Sequence, residues 1–206
     1  RAGGTVVPLE TMRAYREIAN KAGMLVHLDG ARVFNASTAL GCDVREIVQH
    51  VDSVNFCLSK ALGSPVGSVL CGTSDFIERA RHWRKRLGGG MRQAGVLAAC
   101  GIVSLTTMVA KLADDHRRAK ELARRLQGLS GAKVDQTLVE TNFVMVDTEQ
   151  LASEWVLALK RNGLLAMANG PHRVRLVFHH QVDDEGLARA EAAFQAASSE
   201  MALAKA

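Results

Sequence analysis

The segment SKALGSPVGS, residues 59–68, is the most informative part of this 206-residue sequence. It follows residues 54–58, in which apolar side chains alternate, and that pattern predicts a buried β-strand. The glycines and the proline after Lys60 predict an immediate turn. A strand would therefore carry Lys60 into a crowded, glycine-lined loop, where loss of hydration favours the neutral, nucleophilic amine. The alternative is an ordinary surface lysine on the rim of a loop.

A second segment, MLVHLDGAR (residues 24–32), carries an acid near its end. Four of its first five residues are apolar, which predicts a strand covered on both faces. A carboxylate at the end of such a strand, here Asp29, is stable only when a cation meets it. A protonated pyridine nitrogen is such a cation, and a lysine and an aspartate are what proteins supply to pyridoxal phosphate. The alternatives for Asp29 are a helix cap or an ion pair with Arg32.

Four short segments, taken together, resemble the low-specificity threonine aldolases, which belong with the beta-eliminating lyases. The segments are HLDGAR (27–32), LSK (58–60), PVGS (65–68) and GGGMRQ (88–93), in the order and spacing of that family. Each segment alone is weak evidence, because short motifs recur by chance, but the ordered combination is specific.

The resemblance implies an α/β fold of the aspartate-aminotransferase type, as in other fold-type-I pyridoxal-phosphate enzymes. Residues 1–112 would form the C-terminal part of the large cofactor-binding domain, with a partial, parallel-type sheet. Residues 113–206 would form a small C-terminal α/β domain. Because the resemblance covers only the C-terminal part of the family's usual chain, we expect the N-terminal part to be absent.

The resemblance also implies roles for four residues near the cofactor. Lys60 would bind the cofactor aldehyde and is the catalytic residue. Asp29 would keep the ring nitrogen protonated through a charge-assisted hydrogen bond. Ser59 would bind the phosphate through its hydroxyl. Arg32 would reach the cofactor's phenolic oxygen or the substrate carboxylate, with a salt bridge to Asp29 or another acid as the alternative.

Other residues are candidates for substrate binding or for the subunit interface. Arg175, in VRLV (174–177), is the candidate for the substrate's α-carboxylate, which its planar fork fits in a bidentate manner. A lone strand arginine is otherwise an exposed residue of the β-ladder. Lys85 and Arg92 flank the triglycine and are candidates for the cofactor phosphate or a neighbouring subunit. His27 is predicted to be a core residue, and His179 and His180 receive no role.

The implied reaction is retro-aldol cleavage of a β-hydroxy-α-amino acid, L-threonine or L-allo-threonine, to glycine and acetaldehyde. An enzyme of this kind is a carbon–carbon lyase of threonine catabolism and glycine biosynthesis, and the family works as homodimers or homotetramers. The alternatives are another fold-type-I enzyme, such as a β-eliminating lyase or serine hydroxymethyltransferase, or a truncated chain without catalysis. The sequence assigns no catalytic base.

Composition narrows the classes of partner. The net charge is +5, and much of it lies in residues 77–86, which fit a solvated helix face or an anion site. Aromatic residues are 4% of the chain and do not interleave with the basic ones, so we expect no nucleic-acid partner. The four cysteines form no C-x-x-C pair and no zinc-type cluster, so we expect no metal.

The same features predict the compartment and the secondary structure. Without a basic-then-apolar leader or about 18 uninterrupted apolar residues, we expect no signal peptide and no membrane partner. Reduced cysteines favour the cytoplasm, with mitochondria as the alternative. Residue spacing predicts helices over 9–22, 76–86, 93–112, 114–126 and 151–162, and strands over 24–28, 53–58, 69–71, 133–139, 141–146 and 173–178.

Overall fold

A computed structural model of the chain describes residues 3–203 and divides into two compact units. The N-terminal unit comprises Val7–Leu112. The C-terminal unit begins at Ala113 and also includes residues 3–6. Each unit has its own sheet and its own apolar core. Residues 3–6, assigned above to the first domain, therefore pack with the second.

The N-terminal unit is built around a three-stranded sheet. Its elements are α1 (Leu9–Lys21), β1 (His27–Asp29), α2 (Val33–Leu40), α3 (Val44–Val48), β2 (Ser53–Cys57), β3 (Ser68–Cys71), α4 (Ser74–Arg86) and α5 (Gly95–Val103). The strand order is β1-β2-β3, with β1 and β2 parallel and β2 and β3 antiparallel. The predicted parallel-type sheet is thus a mixed sheet, because the chain turns back directly after Lys60.

The first strand begins later than predicted. Met24 and Leu25 are 63% and 83% exposed and precede β1, whose pairing with β2 starts at His27. Gly23, with φ 64°, ends α1 in a left-handed turn. Met24 still belongs to this turn, because its N–H donates to the Ala19 carbonyl. The apolar run therefore indicated a strand in the correct region, but its first residues belong to the turn.

One face of this sheet is apolar and packs on the first three helices. Leu28 and Phe56 contact a cluster centred on Met12, Val33 and Ile47. The rings of Phe56 and Phe34 meet edge to face, with centroids 5.3 Å apart. Full burial of such a side chain contributes about 1.5 to 3 kcal/mol, so the partial burial of Leu28 and Phe56 favours the observed register of β1 and β2. The opposite face carries the polar residues of the strands.

The C-terminal unit is an antiparallel sheet with helices on one face. Its elements are α6 (Leu112–Arg125), β4 (Ala132–Lys133), β5 (Phe143–Thr148), α7 (Ala152–Arg161), β6 (Met167–Ala168), β7 (Arg173–Val177) and α8 (Asp184–Leu203). The strand order is β4-β5-β7-β6. Val144 and Val174 face the helices and join Trp155 and Phe194 in the core, all fully buried.

The predicted strand over residues 133–139 is wrong for most of its length. Only Ala132–Lys133 pair with β5, and Gln136–Leu138 form a short 3₁₀ turn. The Asp135 carboxylate accepts hydrogen bonds from the Thr137 N–H (3.0 Å) and hydroxyl (2.6 Å). These local hydrogen bonds to an aspartate side chain compete with the backbone hydrogen bonds of a β-ladder, so the strand ends here.

The helical stretch Gly95–Arg125 was not singled out by the sequence analysis as a segment of membrane length, and the absence of a membrane partner stays a prediction. By length and composition it could cross a membrane, with a mean hydropathy of 1.9 over an 18-residue window that is 17% buried. The sequence prediction missed it because serine and threonines interrupt the apolar run. Core helices of soluble proteins satisfy the same criteria, and Gly101 and Ser104 of this stretch are buried.

Asp115, in the first turn of α6, is a buried carboxylate without a hydrogen bond. It is 1% exposed, and neither oxygen has a hydrogen-bond partner among residues 3–203. The Arg118 Nη1 atom lies 4.0 Å away. Burial raises the pKa of Asp115, and the charges of Arg118, His179 and His180 offset only part of that shift. Burial also lowers the pKa of His116 to about 4, so its imidazole is neutral at pH 7.

We expect Asp115→Asn to stabilise the protein at pH 7 to 8 by about 1 to 2 kcal/mol, the desolvation penalty of a buried unpaired group. The folded pKa is raised, so the wild type loses stability as pH rises above the ordinary aspartate value. The gain should therefore vanish below about pH 4, where the carboxyl is protonated in both states.

Urea unfolding of both proteins between about pH 3 and pH 8 measures this difference. Asp114→Asn, at a side chain that is 63% exposed, is the matched control and should change little. A variant that is less stable than the wild type at every pH would contradict the prediction.

Candidate active site

Lys60 lies in a closed turn directly after β2. The Ser64 N–H donates to the Leu58 carbonyl (3.0 Å), and the Gly63 N–H donates to the Lys60 carbonyl (2.9 Å). Gly63 has φ 73°, in the left-handed region that glycine enters without steric cost. The Leu58 N–H donates to the Gly67 carbonyl (2.9 Å), so the backbone fixes the turn from both sides.

The neighbours of Lys60 anchor this turn in an apolar cluster. Leu58, Ala61 and Leu62 are 4–7% exposed and pack with Leu112. Lys60 itself is exposed. The sequence predicted a crowded surrounding for the amine, and the N-terminal unit does not supply it. What this unit supplies is a rigid turn that keeps the lysine out of the core.

Asp29 ends β1 beside the strand that leads to Lys60. It pairs with Asn55 of β2, its carboxylate is exposed, and its Oδ1 accepts from the Ala31 N–H (3.2 Å). Gly30 permits this approach, because an added Cβ would lie 2.8 Å from Val54 Cγ2. Asp29 is the last residue of β1, and Lys60 follows β2. Both residues therefore lie at the carboxyl ends of two neighbouring parallel strands, the edge at which α/β sheets bind ligands.

The structure places Arg32 and Ser59 on the same two loops. Arg32 is exposed at the N-cap position of α2, which excludes Asp29 as the cap of that helix. Ser59 is exposed, and its N–H donates to the Gly67 carbonyl (3.3 Å). The four predicted cofactor residues thus lie at one end of one sheet. Their individual roles stay predictions.

His27 is not the core residue that the sequence predicted. It is exposed, and its ring nitrogens lie 2.9 Å from Ser53 Oγ and 3.1 Å from Asn55 Oδ1. Residues i and i+2 of a strand share a face, so His27 and Asp29 lie on the same polar face of the sheet. The alternation of side chains along β1 could have predicted that His27 lies on the polar face with Asp29 and not in the core.

Arg175 lies on the face of the second sheet that carries no helix. It is opposite Met145 of β5 and Met167 of β6, and its Nη2 lies 3.3 Å from the Met167 sulfur. Its guanidinium carbon is 5.9 Å from the centroid of the Phe143 ring. Within the described residues no carboxylate lies within 4.0 Å of Arg175, whereas Arg173 pairs with Asp147. Arg175 therefore has no compensating carboxylate among the described residues and stays a candidate for binding an anion.

Residues 3–6 border the face of the second sheet on which Arg175 lies, and sequence reasoning missed this contact. The Thr141 hydroxyl donates to the Gly4 carbonyl (2.6 Å), and the Val6 N–H donates to the Glu140 carboxylate (2.6 Å). Gly4 has φ 84°, and an added Cβ would lie 2.8 Å from the Phe143 side chain. The adjacent glycines at 3 and 4 were the available signal for this close approach.

Lys85 and Arg92 lie in the exposed basic segment. The helix α4 buries no residue, is capped by Thr73, whose side chain accepts from the Phe76 N–H, and ends before Gly88 (φ 81°). Lys85 and Arg92 are exposed and, within residues 3–203, have no salt-bridge partner. The structure leaves both as candidates for an anion.

These residue types suit the predicted cofactor. An exposed amine and a carboxylate at one sheet edge fit an aldehyde and a protonatable ring, and a separate guanidinium fits a carboxylate. Three or more metal-ligating side chains do not cluster anywhere in residues 3–203.

Comparison with known proteins gives the family. The beta-eliminating lyase model matches residues 1–149. Low-specificity L-threonine aldolase 1 of Arabidopsis thaliana is 45% identical over 185 residues, which are 88% of this chain and 52% of that protein. The low specificity L-threonine aldolase of Escherichia coli K12 is 44% identical over 193 residues, 94% of this chain and 57% of that protein. The chain thus spans about half the length of these curated relatives.

Solved structures confirm the predicted fold type. A threonine aldolase of Leishmania major superposes with a TM-score of 0.73 at 18% identity, covering 91% of this chain and 56% of that one. A serine palmitoyltransferase of Sphingomonas wittichii gives 0.72 at 16% identity, covering 93% and 51%. At these identities the likeness shows the fold alone, and it is the family match over most of the sequence that identifies the chain as a member of the beta-eliminating lyase family.

Proposed function

We propose that this protein is a pyridoxal-phosphate lyase that cleaves L-threonine and L-allo-threonine to glycine and acetaldehyde. The observation that carries the proposal is the rigid Lys60 turn beside Asp29 at the carboxyl ends of two parallel strands. Beta-eliminating lyases and threonine aldolases are pyridoxal-phosphate enzymes, and relatives 44–45% identical are named threonine aldolases. The reaction places the protein in threonine breakdown and glycine formation.

In this proposal the N-terminal unit holds the cofactor. Lys60 would hold the cofactor through its aldehyde, and the Asp29 carboxylate would hold the protonated ring nitrogen by a charge-assisted hydrogen bond. Ser59 and Arg32, on the loops after β2 and β1, supply donors to the phosphate and the phenolic oxygen. When bound, pyridoxal phosphate accepts the electrons released by bond cleavage at the substrate's α-carbon.

The C-terminal unit orients the substrate. Arg175 binds the α-carboxylate in a bidentate manner, because its planar fork has no competing acid among the described side chains. The Phe143 ring and the Met167 sulfur lie beside the guanidinium, at 5.9 Å and 3.3 Å, and orient its fork on this face of the sheet. Fixing the carboxylate sets the orientation of the bonds at the α-carbon.

A second candidate reaction is β-elimination, which the name of the family model favours. The Lys60 and Asp29 arrangement would suit both reactions equally, because both reactions use the same cofactor. The two reactions differ in which substrate bond breaks and hence in their products.

Product analysis separates the candidates. The chain is mixed with pyridoxal phosphate and L-threonine, L-allo-threonine or L-serine. Glycine and acetaldehyde in equal amounts from the threonines would support the aldolase. Ammonia and a 2-oxo acid would support the β-eliminating lyase. Neither product, and no absorbance band after addition of the cofactor, would support a chain without catalysis.

Assembly and location are further parts of the proposal. Lys85 and Arg92 lie in an exposed, unpaired basic segment, which suits contact with a phosphate across a two-fold interface. We therefore propose a homodimer or homotetramer, and the free cysteines favour the cytoplasm, with mitochondria as the alternative. A light-scattering mass equal to one chain for the cofactor-loaded protein would contradict this assembly.

A further inference from the structure

A buried hydrogen bond joins the Lys60 turn to the long helical stretch. The hydroxyl oxygens of Ser64 and Ser104 are 2.6 Å apart, and both residues are buried, at 7% and 3% exposure. Ser64 ends the turn, and its N–H donates to the Leu58 carbonyl. Ser104 begins the π-helical segment Ser104–Met108. The two residues are 40 positions apart in sequence.

The helix is shaped to bring these two hydroxyls together. At Gly101, one turn before Ser104, an added Cβ would lie 3.0 Å from Leu58 Cδ1, so glycine lets the helix approach the turn. The π-helical widening then starts at the residue that bonds to the turn, and such segments recur at functional sites. Leu112 completes the contact from the end of the same stretch.

The Lys60 side chain has no contact of its own that fixes it. It is exposed and makes no hydrogen bond or ion pair with a described residue. Its position therefore depends on the backbone of the turn, which closes through the Ser64 N–H and the Gly63 N–H. Whatever holds Ser64 in place also holds the base of the lysine.

We propose that Ser64 and Ser104 form a clasp that positions Lys60 for attachment to the cofactor aldehyde. Both serines are buried and their hydroxyls bond to each other, so both are positioning residues. The inference rests on the proposed function of Lys60. Removing one hydroxyl leaves the other buried without a partner, and that group then recruits water and opens the turn. Removing both leaves two methyl groups in contact and restores closure.

Reductive trapping tests the clasp. Pyridoxal 5′-phosphate and borohydride are added to the 206-residue chain, and peptide mass mapping gives the ratio of Lys60 to Lys160 labelling. Lys160 is an exposed lysine of α7 and serves as the internal reference. We expect Ser64→Ala and Ser104→Ala each to lower the ratio about fivefold, and the double variant to lie within about twofold of the wild type.

Thr106→Ala is the matched control. Its exposed hydroxyl donates only to carbonyls of its own helix, Ile102 and Val103, so the ratio should not change. Single variants that melt at a lower temperature but keep the wild-type ratio would overturn the proposal, because the serines would then serve the fold alone. A double variant with the two single effects added would also overturn it.

Amide hydrogen exchange gives a readout that does not involve the cofactor. The N–H groups of Gly63 and Ser64 should exchange about fivefold faster in each single variant and return to wild-type protection in the double variant. Unchanged exchange in the single variants would overturn the clasp. Absence of preferential Lys60 labelling in the wild type would instead count against the proposed function, and the exchange data would still decide on the clasp.

Discussion

Lys60→Ala is expected to abolish the preferential covalent capture of pyridoxal phosphate, leaving only the labelling of exposed lysines such as Lys160, and to lower threonine cleavage by about a thousandfold or more, as for other covalent catalytic residues. The loss follows from chemistry and not from unfolding. Lys60 is exposed and makes no bond through its side chain within the described residues, so its truncation removes no packing. The melting temperature should therefore stay within a few degrees of the wild-type value.

Two comparisons make this prediction sharp. Lys60→Arg keeps the length and the charge, but guanidinium does not condense with the aldehyde, so it should fail like alanine. Lys160→Ala, at an exposed lysine of the other unit, should leave capture and cleavage unchanged. Trapped cofactor is measured by mass after borohydride treatment. Undiminished activity in Lys60→Ala would show that another residue is the cofactor lysine.

The parts of the site that the sequence predicted are those set by local rules. Lys60 follows an alternating strand and precedes a glycine-rich turn, and Asp29 ends an apolar run, so both positions could be inferred from neighbours. The family was identified from the same segments, and its fold type is confirmed by solved structures. Short motifs sufficed because they encode backbone turns and the groups that those turns present.

The parts that could not be predicted depend on contacts between distant residues. The Thr141 hydroxyl bonds to the Gly4 carbonyl across 137 positions, and Ser64 bonds to Ser104 across 40. The spacing of apolar residues along the sequence does not indicate which distant residues will form a hydrogen bond. The two-residue strand Met167–Ala168 was missed for the same reason, because it exists only by pairing with β7. The prediction of a crowded site around Lys60 was wrong for this unit, where Lys60 is exposed. The apolar residues next to Lys60 in sequence do not determine which residues cover its side chain.

The second large effect concerns Arg175. Arg175→Met should raise the KM for threonine about 100-fold, since removing a charge-assisted bidentate contact costs about 2 to 5 kcal/mol. Arg175→Lys should recover only part of this, because an ammonium presents one charge without the planar fork. We expect Arg175→Met to lower the affinity for threonine more than it lowers kcat. The reason is that Arg175 would bind the α-carboxylate equally in the ground state and in the transition state.

Arg173→Lys is the control that the sheet itself provides. Arg173 lies two residues away on the same face, but it is already paired with the Asp147 carboxylate, at 2.5 Å. Its replacement should therefore leave the KM within about twofold, the usual range for an exposed ion pair. Equal losses in the Arg173 and Arg175 variants would mean that the whole face responds to charge and that no single arginine binds the substrate.

A substrate without the carboxylate completes the test of Arg175. Threoninamide keeps the amine and the β-hydroxyl but presents a neutral amide where threonine presents an anion. The wild type should prefer threonine by about the same 100-fold that the Arg175→Met variant loses, and that variant should no longer discriminate between the two. A variant that still prefers threonine would place the carboxylate on another cation. Because this comparison is made within each protein, a general loss of activity or stability cannot produce the expected result.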